Sequence, residues 1–319
     1  MFEFQNMNDT FTLAHLSDCH LASLDRVTMR DLLNKRIYGY LRWQVQRRAE
    51  HRQEVLEALF CDLQSTSPDH TVITGDLTHL GLAKEFRKAR DLLNSLGSST
   101  DITVIPGNHD AYVRTDWDDT FGILADFMIS DEPYRRGGAG TSSRFTFPSL
   151  RVRGSAALIG VSSARPSGPL SAVGTIGREQ LREMEKILAA TGNQQLFRIV
   201  MVHHPPVPGT VSWRKRLTDG ETFRSILRNH GVELVLHGHT HCSSLRYLET
   251  TVGSAPVIGV PSGSALGRKA KSRARYNLYQ LKRNPHGWGL VVTVRCYSPP
   301  SQNFVEERET HFTLPRPVT

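Results

Sequence analysis

Carboxylate, imidazole and amide side chains gather at five points along the chain: Asp18 with His20, Asp76, Asn108 with His109, His203 with His204, and His239 with His241. Such donors suit Mn, Fe, Zn, Co or Ni, and the absence of thiolate from the set removes the softest options. In an extended chain residues i and i+2 share a side, so Asp18 and His20 are expected to chelate together, as are His239 and His241. Gly75 permits close backbone approach beside Asp76, whose two carboxylate oxygens suffice to bridge two ions. A set of this size exceeds the needs of one ion and suits two.

Each point ends a short apolar run: FTLAHLSDCH, HTVITGDLTHLG, DITVIPGNHDAY, RIVMVHHPP and VELVLHGHTH. Each run reads as a buried strand whose C-terminal end spills into a loop. Helical patterns separate the first three. HRQEVLEALFCDLQ carries Val55, Leu56, Leu59, Phe60 and Leu63 at helical spacing, and AKEFRKARDLLNSLG stops at Gly97. Strand alternating with helix predicts a parallel βαβαβ core, where ligands gather at the carboxyl ends of the strands. Beyond it, AALIGVSS, APVIGVPSG, RYNLYQLKR and WGLVVTVRCY read as strands, with helices only around 179–190 and 222–229. The expected fold is α/β (α+β): a four-layer αββα sandwich of two mixed β-sheets in one domain, 1–319, ending in a tail at 298–319.

The composition, 39% hydrophobic and 22% charged, describes a globular protein with a core. No run of about 18 apolar residues is present, so no membrane span is expected. The acidic start MFEFQNMNDTFTLAHLSDCH lacks the basic flank and apolar centre of a signal peptide. Cys19, Cys61, Cys242 and Cys296 form no CxxC pair, which fits a reducing compartment and predicts a cytoplasmic protein. A formal net charge of +8 and a pI near 9.5 point to an anionic partner.

Taken in order, DCH, GD, GNHD, HH and GHTH resemble the five signature motifs of the calcineurin-like metallophosphoesterases, over residues 11 to about 297. The resemblance implies the same double-sheet sandwich and two metal ions. It assigns Asp18, His20, Asp76 and His241 to metal one and Asp76, Asn108, His203 and His239 to metal two, with Asp76 as the bridge. His203 is preferred to His204 because strand alternation lets only one point inward. His109 becomes the catalytic imidazole and Asp110 the carboxylate that orients it. In such a site two ions, manganese first among the candidates, hold a shared hydroxide and polarise the phosphoryl group for in-line attack. Cys19 stands where an aliphatic residue is usual and reads as a small buried thiol. His79 stands where asparagine is common and is a candidate to line the substrate pocket, as is His204. His237 supports the ligands or faces the neighbouring sheet. His51 and the histidines outside the motifs receive no role.

Asp76 follows Asp18 at a spacing of 58 residues, more than a simple crossover needs. The surplus, residues 25–53, carries Arg26, Arg30, Lys35, Arg36, Arg42, Arg47, Arg48 and Arg52 around Met29, Leu33, Ile37, Tyr40 and Trp43. Those apolar positions describe one side of a basic amphipathic helix, expected to lie on an anionic membrane, to cap an acyl chain or simply to pack on the domain. Arg135 and Arg136, and Arg214 in GTVSWRKRLTDG, are further candidates to meet an anionic substrate. Three substrate classes remain open: nucleotide phosphodiesters, as in bacterial cyclic-nucleotide phosphodiesterases; the pyrophosphate of a lipid-linked nucleotide, as in UDP-2,3-diacylglucosamine hydrolases of lipid A synthesis; and nucleic acid, for which no stacking platform is evident. A catalytically inactive scaffold on the same fold is the reading from a different class, and it predicts lost ligands where here every position is filled.

Overall fold

Short runs of residues buried at every position, such as His70–Ile73 and Phe197–Met201, supply the centre of each sheet. A computed structural model describes residues 10–21, 24, 27–135, 147–267, 270–285 and 287–315. Along these residues the chain runs β1 (Phe11–Leu16), α1 (Arg36–Arg42), a π-helical turn (Trp43–Arg47), α2 (Arg48–Glu50), α3 (Gln53–Thr66), β2 (His70–Ile73), α4 (Ala83–Leu96), β3 (Ile102–Val104), α5 (Ala125–Met128), β4 (Ser149–Arg153) and β5 (Ala156–Gly160). It continues through α6 (Arg178–Asn193), β6 (Phe197–Met201), α7 (Gly220–His230), β7 (Leu234–His237), β8 (Ser244–Thr250), β9 (Gly253–Gly259), β10 (Arg275–Asn284), β11 (Gly287–Ser298) and β12 (Asn303–Pro315).

The strands form two six-stranded mixed sheets, ordered β12-β11-β10-β1-β2-β3 and β4-β5-β6-β7-β9-β8. β1, β2 and β3 run parallel, as do β5, β6, β7 and β9. Leu13, Val72, Leu158, Ile199, Leu236 and Leu290 pack between the sheets. Val55, Leu59 and Leu63 of α3 and Phe86, Ala89 and Leu93 of α4 cover the outer face of the first sheet, because these apolar residues recur every three or four positions. Leu181, Met184 and Leu188 of α6 and Phe223 and Leu227 of α7 cover the second. The layers are helix, sheet, sheet, helix, as expected. The Arg198–Glu233 pair, buried at 2.7 Å, ties β6 to the segment entering β7, and Arg198 also donates to the carbonyl of His230 at the end of α7. Both sheets therefore present the C-terminal ends of parallel strands at one edge of the sandwich.

Two expectations are corrected. Of the segment 298–319 the described part does not form a tail: Asn303–Pro315 is a full edge strand paired antiparallel to β11, and 316–319 lie outside the described residues. Its exposed charges hid it, because an edge strand with both faces largely wet shows little apolar alternation. The surplus segment is not one helix with a single apolar side. It breaks into α1, the π-helical turn and α2, and its apolar residues divide between two faces. Tyr40 and buried Trp43 pack inward with Leu24, Leu32, Leu80 and Leu82, while Met29, Leu33 and Ile37 face outward. Residues 25 and 26 of that segment lie outside the described residues.

Candidate metal centre

The loops that follow the strands, and not the strands themselves, deliver the ligands. Asp18, His20, Asp76, His239 and His241 all adopt positive φ, between 45° and 67°, and they make up five of the nine non-glycine residues that do so among those described. Left-handed backbone is disfavoured for such side chains, and it concentrates where surrounding structure enforces it for function. Strand alternation at i and i+2 is therefore not what brings Asp18 to His20 or His239 to His241. Glycines allow the crowding: a Cβ on Gly107 would lie 2.2 Å from Asp76 Oδ1, and one on Gly238 would lie 1.9 Å from Ser17 Oγ and 2.6 Å from Asp18 Oδ2.

One donor atom from each of Asp18, His20, Asp76 and His241 lies within 4.8 Å of the others, the set expected for metal one. His20 Nδ1 donates to the Thr78 carbonyl at 2.8 Å, which turns its Nε2 towards the cluster. His203 Nδ1 likewise donates to the Thr74 carbonyl at 2.7 Å, and its Nε2 lies 3.2 Å from Asn108 Oδ1 and 3.5 Å from Asp76 Oδ2. The His239 ring stands 5.1 Å from that of His203, so the residues expected for the second set are neighbours, while the donors that meet as one four-residue cluster among the described residues are those of the first. His20 Nε2 and His239 Nε2 are buried with no hydrogen-bond partner, and the equally buried Asp18 Oδ1 lies 3.1 Å from His241 Nε2. One such orphan costs about 1–3 kcal/mol, and unpaired imidazole nitrogens on two neighbouring ligand loops fit the chemistry of metal ligands.

Electrostatics agrees with this arrangement. Burial pulls the His203 imidazole down, but the Asp76 carboxylate and then Asp18 outweigh it and hold it up at about 9. A positive charge is thus favoured between His203 and the carboxylates. Burial opposes ionisation of Asp18 as well, yet His241 and His203 hold its carboxyl well below the usual range. Burial, then neighbouring imidazoles, keeps His20 neutral, and the same causes act on His239. Neutral imidazole is the form that ligates a metal.

His109 donates its backbone N–H to Asp76 Oδ1 at 2.7 Å, and its ring stands 5.1 Å from that of His20. Its Nδ1 lies 2.6 Å from the His79 carbonyl, which fixes the proton on Nδ1 and leaves Nε2 for chemistry. Asp110 does not orient it. The Asp110 carboxylate instead accepts the N–H groups of Asp76, Gly107 and Thr78 at 2.8–2.9 Å and the Thr78 hydroxyl, clamping one ligand loop to the next. Burial and then Asp76 push its carboxyl up to about 7. The residue that acts on His109 through its main chain is His79, itself held by buried Glu85, which accepts from the N–H groups of His79, Leu80 and Leu82. The His79 ring stacks on His20 at 4.8 Å.

His204 is spoken for at both nitrogens, by the Ser163 hydroxyl and the Ala172 carbonyl, so neither a metal nor a substrate takes it. His237 lies in β7 beside the Ser244 hydroxyl, facing the neighbouring strands. Arg135 pairs with Glu132 and donates to the Ser130 carbonyl. That region meets Arg151, which binds the carbonyls of Ser99 and Ile102 at the N-terminal end of β3, opposite the ligand loops. Arg136 lies outside the described residues. The Arg214 side chain is exposed and its carbonyl pairs with Ala172 N–H, whereas neighbouring Lys215 lines a cavity of about 430 Å³ with His239, Thr240 and Ser212.

Three functional candidates escaped the sequence. Arg47 reaches within 3.3 Å of His109 Nδ1, and burial lowers its pKa against the opposing pull of Asp76 and Asp18. His51 stands edge-on to His20 at 4.5 Å and hydrogen-bonds Ser264. Lys215, lowered by partial burial and then by Arg42 and Arg47, faces the same carboxylates. The only prior signal was the density of bases in the surplus segment and after the HH block. A second, smaller cavity of about 120 Å³ lies under that segment, lined by His20, Trp43, His51, His79 and Arg52.

Comparison with known proteins bears on this geometry. Residues 11–243 match the family model of the calcineurin-like phosphoesterases. A probable cyclic nucleotide phosphodiesterase of Vesicomyosocius okutanii is 25% identical over 232 residues, 72% of this chain and 84% of that protein. Another from Synechococcus sp. is 28% identical over 187 residues, 58% of this chain and 62% of that protein. Among solved structures, a dimetal phosphatase of Danio rerio superposes with a TM-score of 0.56 at 14% identity, covering 95% of this chain and 98% of its own. A purple acid phosphatase of yellow lupin gives 0.60 at 12%, covering 95% and 53%.

Proposed function

The chain belongs to the calcineurin-like phosphoesterases and is a metal-dependent phosphoester hydrolase, and we propose that it cleaves phosphodiesters of the nucleotide type. The observation that carries the proposal is the meeting of donor atoms from Asp18, His20, Asp76 and His241 within 4.8 Å of one another, with a cavity of about 430 Å³ lined by His239 and Lys215. The names of the two phosphodiesterase relatives support the substrate class.

In this reading Asp18, His20, Asp76 and His241 hold one ion and Asp76, Asn108, His203 and His239 the other. A pair of divalent or trivalent ions, with manganese proposed and Fe, Zn, Co or Ni compatible with the donors, would lower the pKa of water and polarise the phosphoryl oxygens. The Asp76 carboxylate fixes the spacing of the two sets, and the N–H of His109 on Asp76 Oδ1 fixes the carboxylate. His109, locked at Nδ1 by the His79 carbonyl, takes up a proton from solvent at Nε2 and passes it to the leaving oxygen, a transfer that burial and Arg47 promote by disfavouring the imidazolium. Arg47 and Lys215 supply the positive charge that receives the non-bridging oxygens. The proposed setting is the cytoplasm, with a phosphate-containing small molecule as substrate.

A second reading, hydrolysis of the pyrophosphate of a UDP-2,3-diacylglucosamine-like lipid nucleotide at the inner membrane, is favoured by the apolar side chains exposed on the segment over the site. One assay separates the two. The Mn-loaded protein is offered bis(p-nitrophenyl) phosphate, cyclic AMP and UDP-2,3-diacylglucosamine, with Asp76→Ala as control. Turnover of the diesters supports the first reading, strong preference for the lipid nucleotide replaces it with the second, and no turnover of any would overturn both.

A further inference from the structure

The segment over the site is built inside out. Of its described bases, Lys35 donates to the Ser167 carbonyl, Arg36 to the carbonyls of Leu80 and Gly81, and Arg47 turns to His109. The outward face instead carries Met29, Leu33, Ile37, Tyr38, Leu41 and Val45, exposed by 40–79%. Positions 33, 37, 41 and 45 follow helical spacing, a stripe about 18 Å long. Water is a poor neighbour for such a row.

The exposed apolar surface does not stop at this segment. The Lys35–Ser167 hydrogen bond joins it to the loop that carries Leu170, 84% exposed, and Ala172 N–H in that loop binds the carbonyl of Arg214, next to Trp213, 72% exposed. These two regions hold eight of the twelve large apolar side chains exposed among the described residues. Bases accompany them: Arg30, Arg42, Arg48 and Arg214 are exposed, and the Arg216 guanidinium lies 4.5 Å over the Trp213 ring. Apolar side chains and an interfacial tryptophan among arginines match the boundary of an anionic bilayer, where the former enter the acyl region and the latter meet lipid phosphates. An exposed apolar row accompanied by arginines suits an anionic surface better than a second copy of itself, whose like charges would repel.

We propose that this rim, Met29–Val45 with Leu170 and Trp213, docks the protein on an anionic membrane with the mouth of the metal centre beside the lipid surface. The inference goes beyond the proposed reaction and does not depend on which phosphate is cleaved.

Sedimentation with vesicles of phosphatidylcholine containing 30% phosphatidylglycerol, and with phosphatidylcholine alone, tests it on the full-length metal-loaded chain. The expected results are that the protein sediments with the anionic vesicles, that salt weakens this, and that brominated acyl chains quench Trp213 fluorescence. Leu33→Gln/Val45→Gln is expected to lower partitioning about tenfold, with bis(p-nitrophenyl) phosphate turnover and bound metal unchanged. Turnover in the same samples keeps a failed reaction distinct from failed docking. Protein that stays in the supernatant with both vesicle types overturns the proposal, as does a double variant that sediments like the parent. An oligomer of the parent chain that the double variant dissolves would assign the rim to self-association and overturn it equally.

Discussion

The ligand loops and the segment at 27–53 both bring cationic or imidazole side chains to one point, but they hold them by opposite means. In the loops the ligands are fixed by left-handed backbone at Asp18, His20, Asp76, His239 and His241 and by hydrogen bonds to main-chain carbonyls, as His20 is to Thr78 and His203 to Thr74. The segment lies over the site on a small apolar contact around Trp43, and Arg47 extends from a π-helical turn at the end of a long side chain. Rigid short connections suit chemistry that tolerates little misplacement, and long side chains suit recognition of a charge. Damage to the loops should abolish the reaction, and damage to the segment should retune it.

The largest effect is expected from Asp76→Asn, which keeps the shape of the bridge and halves its ligating oxygens. Diester turnover should fall by about 10³-fold or more and bound metal should drop in elemental analysis of the purified protein. Full metal content with intact turnover would remove Asp76 from the centre. His109→Ala comes next: kcat should fall about 10²- to 10³-fold with the metal content retained, and a matching loss of metal would make the imidazole a ligand in place of a proton donor. Arg47→Ala should lower kcat/KM by about 10- to 10²-fold with partial recovery in Arg47→Lys. An effect as large as that of His109→Ala would erase the distinction between loops and segment.

The smallest effect on turnover should come from a histidine outside both regions. His70 is buried in β2 against the Thr103 hydroxyl, and burial, then Arg153 and Arg151, lowers its pKa to about 3. Its unfolded value is near 6.5, so between these values the unfolded chain binds more protons and stability falls as the pH drops below 6.5. At pH 5 the loss from this residue is about 2 kcal/mol. His70→Gln should flatten the acid limb of urea-unfolding midpoints measured between pH 7 and pH 5 while leaving diester turnover unchanged. An acid limb as steep as in the parent would show that other groups set it.

Sequence motifs pointed to Asp18, Asp76, Asn108, His203 and His239 because donors of these types follow apolar strands, and the structure places all five in the loops after β1, β2, β3, β6 and β7. The means of their convergence could not be read, since positive φ leaves no mark on residue type at aspartate or histidine. Asp110 shows the limit of arguing from neighbours: it stands beside His109 in sequence but binds main-chain N–H groups of other loops. The carbonyl that orients His109 belongs to His79, and a backbone oxygen is invisible in any motif. For the segment at 27–53 helical spacing identified the apolar positions, yet it could not tell which of two apolar faces would be covered. Tyr40 and Trp43 turned in and Met29, Leu33 and Ile37 turned out.

The ligand sets draw on both sheets, from Asp18 after β1 to His241 after β7. Neither half of the sandwich is therefore a smaller enzyme. A polypeptide cut between α6 and β6 would divide each set, leaving Asp18, His20, Asp76 and Asn108 on one fragment and His203, His239 and His241 on the other. Activity regained on mixing such fragments would be a direct readout of both sheets re-forming across the cut, β1 against β10 and β5 against β6, and a split chain of this kind would act as its own reporter of assembly.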